Sequence, residues 1–367
     1  MMEKSPGGIY IPKRQEIHIS AGAGAKLAAR YSMKKGKEID CIYDRMGCPL
    51  PGTGRDVVTG EIAPFNNVIT NNGLDLTANE RLDNNILKCH VGTGATAEEE
   101  TDSILENFLT GDGDKTAGVP GQEATPPYFS TYVQTNRFGS GVAEGILSEV
   151  GMAPASTNGN LYSRSLIKDG GGTPTTIQIL SDEWLDVVYE HRIYPDYIDA
   201  AGDPQDGTGT CTIDGVSYDF AIRPARLTLG GERDWWWIAE FIEGVLGTLG
   251  NGLYGRFYSS DAVIGAVTSE PSATDTDIAT ISGGTTSPYE TYTPGTYNRD
   301  ATWDVPLAEG NCTDGGGDGF AAILLYTRLG VYQMTYDVTS GGGPVPKDDT
   351  KLMTLTWNLA WDRTVIP

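Results

Sequence analysis

Two stretches of the chain carry the same signals in the same order, and this constrains the fold more than any single motif. Around Val91 the sequence reads Val91-Gly92-Thr93-Gly94-Ala95-Thr96-Ala97 and runs through acidic residues to Asp102, Ile104 and Leu105. Around Val267 it reads Val267-Thr268-Ser269-Glu270-Pro271-Ser272-Ala273-Thr274-Asp275-Thr276-Asp277-Ile278. An alternating segment ending in arginine follows each, Leu185 to Arg192 in the first copy and Trp357 to Arg363 in the second. Val91 to Arg192 spans 101 positions and Val267 to Arg363 spans 96, so the anchors keep nearly the same separation. Two related modules are the simplest organisation, and 367 residues let each bury its own core.

The spaces between short apolar runs are filled with Gly, Pro, Asn, Asp, Ser and Thr. The 48 glycines are about twice the usual ~7% share. Such punctuation belongs to a turn-rich, all-β chain. The expected architecture is two tandem related antiparallel β-sandwich domains, each with a short helix, after an extended N-terminal arm. The boundaries are 1–60 for the arm, 61–198 for the first domain, 199–210 for a linker and 211–367 for the second domain. Phe65, Val68 and Ile69 at helical spacing predict a helix that ends at Gly73, matched in the second copy by an apolar face from Ile238 to Leu249. Period-two alternation predicts strands over Tyr128–Phe138 and Leu185–Arg192, with Leu185, Val187 and Tyr189 on one face. It also points Tyr332, Met334, Tyr336, Trp357, Leu359 and Trp361 inward.

The net charge of -23 is unevenly placed. Residues 1–55 carry ten Lys or Arg against five Asp or Glu, a balance of +5, which leaves -28 for the rest. An acidic body repels nucleic acid, because phosphate binding needs clustered cations. The arm alternates at Ile9-Tyr10-Ile11 and again at Ile17 and Ile19, so it can donate a strand to a neighbour. Its cluster Lys34, Lys35 and Lys37 suits an acidic partner. These eight residues are the partner-docking candidates. No apolar run approaches the ~20 residues of a membrane span. Five cysteines without a CxxC pair read as reduced thiols.

The other motifs favour structural readings. Gly92-x-Gly94 lacks the third glycine and the Lys-Ser/Thr pair of a phosphate loop, so it reads as a Gly-rich turn. Asp112-Gly113-Asp114 and Asp314 to Asp318 lack the closing bidentate glutamate of a calcium loop and read as solvated loops. The three histidines are isolated in sequence, and His191 reads as an edge residue of its strand. Trp235, Trp236 and Trp237 lead into an apolar helix face and are core or interface candidates rather than a sugar platform. Glu190/Arg192 and Asp362/Arg363 read as pairs at matching strand ends. No catalytic, cofactor-binding or metal-ligating constellation stands out.

Taken together, four segments resemble structural proteins of tailed-bacteriophage virions of the tail-fibre, tail-tip and collar type: Phe65 to Asp75, the Val91-Gly92-Thr93-Gly94 turn with its sequel, Leu161-Tyr162-Ser163-Arg164, and Leu185 to Arg192 before Tyr194-Pro195. The resemblance implies a non-enzymatic β-sandwich protein, without cofactors, packed around a symmetry axis as a trimer or a higher ring. It also implies other tail or neck proteins as partners, a host surface receptor met by loops around 111–125 or 282–298, and assembly in the bacterial host cytoplasm. A neck, collar or head-decoration protein and a receptor-binding or polysaccharide-degrading tailspike are the alternatives.

Overall fold

The structure, a computed structural model, describes residues 2–4, 10–12, 16–39, 45–46, 48, 55–79, 81–123, 125–196, 207–213, 216–227, 254–273, 276–280, 291–312, 319–327, 329–336 and 344–366. Its strands begin with β1 (Met2–Lys4), β2 (Tyr10–Pro12), β3 (Glu16–Ile39), β4 (Arg55–Asn66), β5 (Val68–Ile69), β6 (Lys88–Gly92) and β7 (Phe108–Glu123). They continue with β8 (Phe129–Phe138), β9 (Gly145–Leu147), β10 (Glu149–Ala153), β11 (Ser163–Leu166), β12 (Ile177–Ile179), β13 (Trp184–Pro195) and β14 (Gly207–Ile213). The last are β15 (Val216–Pro224), β16 (Tyr254–Ser259), β17 (Thr276–Thr280), β18 (Asn298–Val305), β19 (Phe320–Thr327), β20 (Gly330–Tyr336) and β21 (Leu352–Arg363). Two short helices, α1 (Asn71–Asn79) and α2 (Leu82–Asn85), lie between β5 and β6. The chain is all-β, as its turn-rich composition predicts.

The chain divides into two compact units that are not consecutive in sequence. Unit 1 comprises 1–25, 122–129 and 195–360; unit 2 comprises 26–121, 130–194 and 361–367. The expected division at 199–210 therefore does not describe the packing, and the expected separate arm is not separate. Residues 16–39 form one 24-residue strand whose first part belongs to unit 1 and whose second part belongs to unit 2. The cause is in the sequence of β3: small residues from Ala21 to Ala29 alternate without a turn-forming break, and nearly all are buried.

In unit 1 the strands pair antiparallel in the series β3, β14, β15, β20, β19, β16, β17, and β18 pairs with β21. Every residue of β19 is buried, so its continuous apolar run Phe320 to Tyr326 reflects cover on both faces rather than alternation. Trp357 and Tyr332 are fully buried with ring centroids 6.2 Å apart. The expectation that Tyr332, Met334, Trp357 and Leu359 point inward holds. Trp235 to Trp237, the helix over 238–249 and the Tyr336 side chain lie outside the described residues.

In unit 2, β5, β11, β10, β6 and β7 form one antiparallel series, while β3 pairs with both β4 and β13, and β13 with β8. Only Asn67 separates β4 from β5, so a single stretch of chain serves both series and the sheet curls. Register shifts between Tyr31 and Met33 and between Lys35 and Gly36 supply the bend. β8 and β13 alternate as the sequence predicts, with Leu185, Val187 and Tyr189 inward. The inward face of β8 is partly polar: Gln134 Nε2 donates to the Ile86 carbonyl at 2.6 Å, and Asn136 Nδ2 to those of Leu87 and Gly113.

The first helix is displaced from its expected position. Phe65 of β4 and Ile69 of β5 are buried, as is Asn67 between the two strands, and α1 begins just before the predicted stop at Gly73. Thr70 decides the start, because its Oγ1 accepts the Gly73 N–H at 2.9 Å and caps the first turn. Gly73 is needed for close packing, since a Cβ there would sit 2.1 Å from the Tyr162 carbonyl oxygen. Gly73→Ala is expected to cost about 1–3 kcal/mol; an unchanged urea midpoint would show that the helix can move away.

The repeat anchors also sit in different settings. Val91 lies in mid-strand in β6, whereas Val267 lies in a turned segment where its carbonyl accepts the Leu227 N–H at 3.3 Å. The strand-end pairs differ too: Arg192 meets Glu190 at 2.6 Å, but Arg363 turns to Glu100 at 3.0 Å.

Candidate functional site

The best-organised surface in unit 2 is the loop between β6 and β7. It exposes Ala95 to Ala97, Glu99 to Thr101, and Ser103 with Ile104. Beneath it lies Glu149 of β10, fully buried, beside Arg164 of β11, which is 2% exposed. The β10–β11 register places Gly151 opposite Arg164, so Glu149 is its diagonal neighbour on the same face.

Glu149 gathers donors from both ends of the loop. Its Oε1 accepts the N–H groups of Gly94 at 2.9 Å and Asn107 at 2.7 Å. Its Oε2 accepts the Glu106 N–H at 3.0 Å and Arg164 Nε and Nη2 at 3.2 and 3.0 Å. Arg164 spends its remaining donors on the same loop, on Asp102 at 2.6 Å and on the carbonyls of Thr96 and Ala97. A buried ion pair repays its desolvation only when its remaining hydrogen-bonding capacity is also used, and here the loop backbone uses it. Near the surface, Glu106 accepts the Ala95 and Thr96 N–H groups and the Thr96 hydroxyl, and these bonds hold its carboxyl below the usual range.

The Gly92-x-Gly94 motif therefore does cradle an anion, but the anion is the chain's own. A Cβ on Gly92 would stand 2.6 Å from Glu149 Oε1, and one on Gly94 would stand 2.5 Å from it. The glycines admit the carboxylate that organises the loop. The outcome is an exposed loop braced at both ends by a buried carboxylate.

A polar cleft of about 370 Å³ opens elsewhere in this unit, lined in part by Arg30, Phe65, Asn66, Lys168 and Asp169. Its cations are neutralised from within: Arg30 meets Glu190 at 2.6 Å, and Lys168 pairs with Glu98. Deeper in the unit, Tyr162 Oη is hydrogen-bonded to His191 Nε2 at 3.0 Å, with Thr77 Oγ1 3.4 Å from the same hydroxyl. Burial pushes His191 down to about 3, so this histidine is a neutral core residue and not the strand-edge residue its sequence setting suggested.

The docking candidates are scattered. Ile9 lies outside the described residues. Tyr10 and Ile11 belong to β2, opposite Lys4 and Glu3 of β1. Ile17 and Ile19 are buried and pair with Ile213 and Cys211 of β14, so this strand is given to its own chain rather than to a neighbour. The lysines likewise meet internal acids: Lys34 with Glu61 at 3.5 Å, Lys35 with Glu183 at 2.9 Å and Lys37 with Asp182 at 2.6 Å. Burial alone would raise the Glu183 carboxyl, but Lys35, the Leu180 N–H and Thr59 hold it at about 2. Residues 111–123 are strand in β7 rather than a receptor loop, and the segment 281–290 lies outside the described residues. Asp114 pairs with Lys88, and no group of three or more potential metal-ligating side chains occurs among the described residues.

Sequence reasoning missed the Glu149–Arg164 pair. Its only signal was the spacing of two charged residues in otherwise apolar or small-residue strands. Comparison with protein-family models, with curated proteins and with solved structures finds no match.

Proposed function

We propose that the protein is a non-enzymatic structural component of a tailed-phage virion. It serves in the tail fibre or tail tip, assembles with copies of itself and with other tail proteins, and contributes a surface for host attachment. A neck or collar position is the alternative. The two halves are read as related β modules on the shared pattern of their closing strands β13 and β21, both alternately buried. Two of the four segments that carry the phage resemblance, Val91 to Gly94 and Leu161 to Arg164, help to build the braced loop.

One observation carries the docking part of this reading. β1 and β2 form a two-stranded sheet of their own. A ribbon of three residues per strand is marginal in water, and its open edges are a template for another chain. On this reading docking falls to the β1–β2 ribbon, since Ile17, Ile19 and the lysines are engaged within the chain. Deleting residues 1–12 is expected to leave the thermal transition nearly unchanged while abolishing incorporation into particles. Full incorporation of the truncated protein would remove this assignment.

A further inference from the structure

In unit 1 the connection that follows β18 and the one that precedes β21 meet around a single buried amine. Lys347 is 1% exposed. Five oxygens surround its Nζ: Asn311 Oδ1 at 2.8 Å and the carbonyl oxygens of Glu309, Leu307, Asp348 and Pro306 at 3.0 to 3.3 Å. An ammonium has only three hydrogens to donate, so five oxygens exceed what directed hydrogen bonds can use and the remainder are held by charge.

We propose that the 306–311 connection is a binding site for a monovalent cation, which the chain fills with its own Lys347 ammonium. The loop builds most of the site, since four of the five oxygens belong to Pro306, Leu307, Glu309 and Asn311. Gly310 with φ +72° and Cys312 with φ +44° turn the backbone through the left-handed region on either side of Asn311. Asn311 Nδ2 donates to the Leu307 carbonyl at 2.9 Å, which fixes the amide so that Oδ1 faces Nζ.

The lysine is delivered from an anchored backbone. Val345 and Phe320 exchange N–H···O bonds at 2.8 and 3.0 Å, and the Lys347 N–H donates to the Val345 carbonyl at 2.8 Å. Gly319 permits this approach, because a Cβ there would stand 1.8 Å from the Val345 carbonyl oxygen.

The coordinating atoms select the class of ion. All five oxygens are neutral, four from peptide carbonyls and one from an amide, and they stand 2.8 to 3.3 Å from the centre. Calcium takes oxygens at about 2.3–2.6 Å and magnesium at about 2.0–2.1 Å, with carboxylates among them, so this shell is too wide and too weakly charged for either. Rings of backbone carbonyls replace the hydration shell of potassium, and a free ammonium ion is the chemical equivalent of Nζ. Carbonyl dipoles that turn their negative ends to one point repel one another, so the shape of the loop depends on a positive charge at its centre. Val305, the last residue of β18, pairs with Met353 of β21, and the tethered cation therefore ties together the two connections that flank this strand end.

The test is the thermal midpoint of full-length Lys347→Ala in choline, potassium and ammonium chloride at one ionic strength. Shortening the side chain empties the centre, and the midpoint is expected to be lowest in choline and to rise with added potassium or ammonium by mass action. Lys347→Met, whose stem still fills the site, is expected to show no such difference, and neither is the wild type. Equal midpoints of Lys347→Ala in the three salts, or a variant that remains unfolded in all of them, overturn the proposal, as does an equal cation response in Lys347→Met. The wild-type protein supplies a check that needs no variant: the Lys347 ammonium protons should exchange with water far more slowly by NMR than those of exposed lysines. Exchange at the exposed rate overturns the proposal as well.

Discussion

Glu149→Gln is expected to lower the unfolding free energy by about 3–5 kcal/mol, the range for breaking a buried ion pair from one side. The charge is only part of the loss. Glu149 accepts from three backbone N–H groups and from two nitrogens of Arg164. An amide places an NH₂ where two of these donor sets converge, leaving buried N–H groups without acceptors and Arg164 with only Asp102 as counter-charge. Arg164 cannot escape to water, being 2% exposed. Because both ends of the β6–β7 loop depend on this carboxylate, the loop should open as well, seen as faster amide exchange at Gly94, Glu106 and Asn107. Glu106→Gln is the control. It too replaces a carboxylate that accepts loop N–H groups, but at the surface, where water can replace what is lost, so its effect should be much smaller. Similar urea midpoints for the two variants would mean that burial is not what gives Glu149 its importance.

How much of this was legible in the sequence depends on how local each signal is. The alternation of β13 and of β21 could be read directly, because a period of two needs no knowledge of partners. The helix after β5 could not be placed from Phe65, Val68 and Ile69, since three apolar residues fit a strand as well as a helix. Thr70 and its bond to Gly73 were the decisive local signal. The place of β3 was hidden for a different reason: a run of Ala and Gly has little apolar character by itself, and its burial comes from neighbours far along the chain. The ion pair of Glu149 and Arg164 depends on the β10–β11 register and on a loop some 50 residues upstream, so a charged residue in each of two otherwise apolar or small-residue strands does not by itself say that the two meet. Lys347 was equally unmarked, although a single lysine between Pro346 and Asp348 turns out to be among the largest fully buried side chains.

His191→Phe is expected to flatten the acid side of the stability profile. In the unfolded chain a histidine takes up a proton near pH 6.5. In the folded protein burial holds His191 down at about 3, so it stays neutral far below that point. The unfolded state therefore binds more protons across this interval, and stability falls as pH drops. The contribution is fully present above about pH 6.5 and declines by up to about 1.4 kcal/mol per pH unit for each such histidine. His90 adds to the same slope. Burial lowers it as well, partly opposed by its 2.7 Å bond to the Ala155 carbonyl. Carboxylates act lower: the Glu183 contribution is lost only as pH falls from the ordinary carboxyl range towards 2. The window from about pH 6.5 to 5 thus isolates the histidines. Within it, His191→Phe should remove much of the slope, and a double replacement with His90 should remove more. The loss of the Tyr162 bond should shift the whole curve without changing its shape. Urea midpoints taken across this window separate the two effects, and a slope that survives the His191 replacement intact would mean that protons reach this side chain in the folded state.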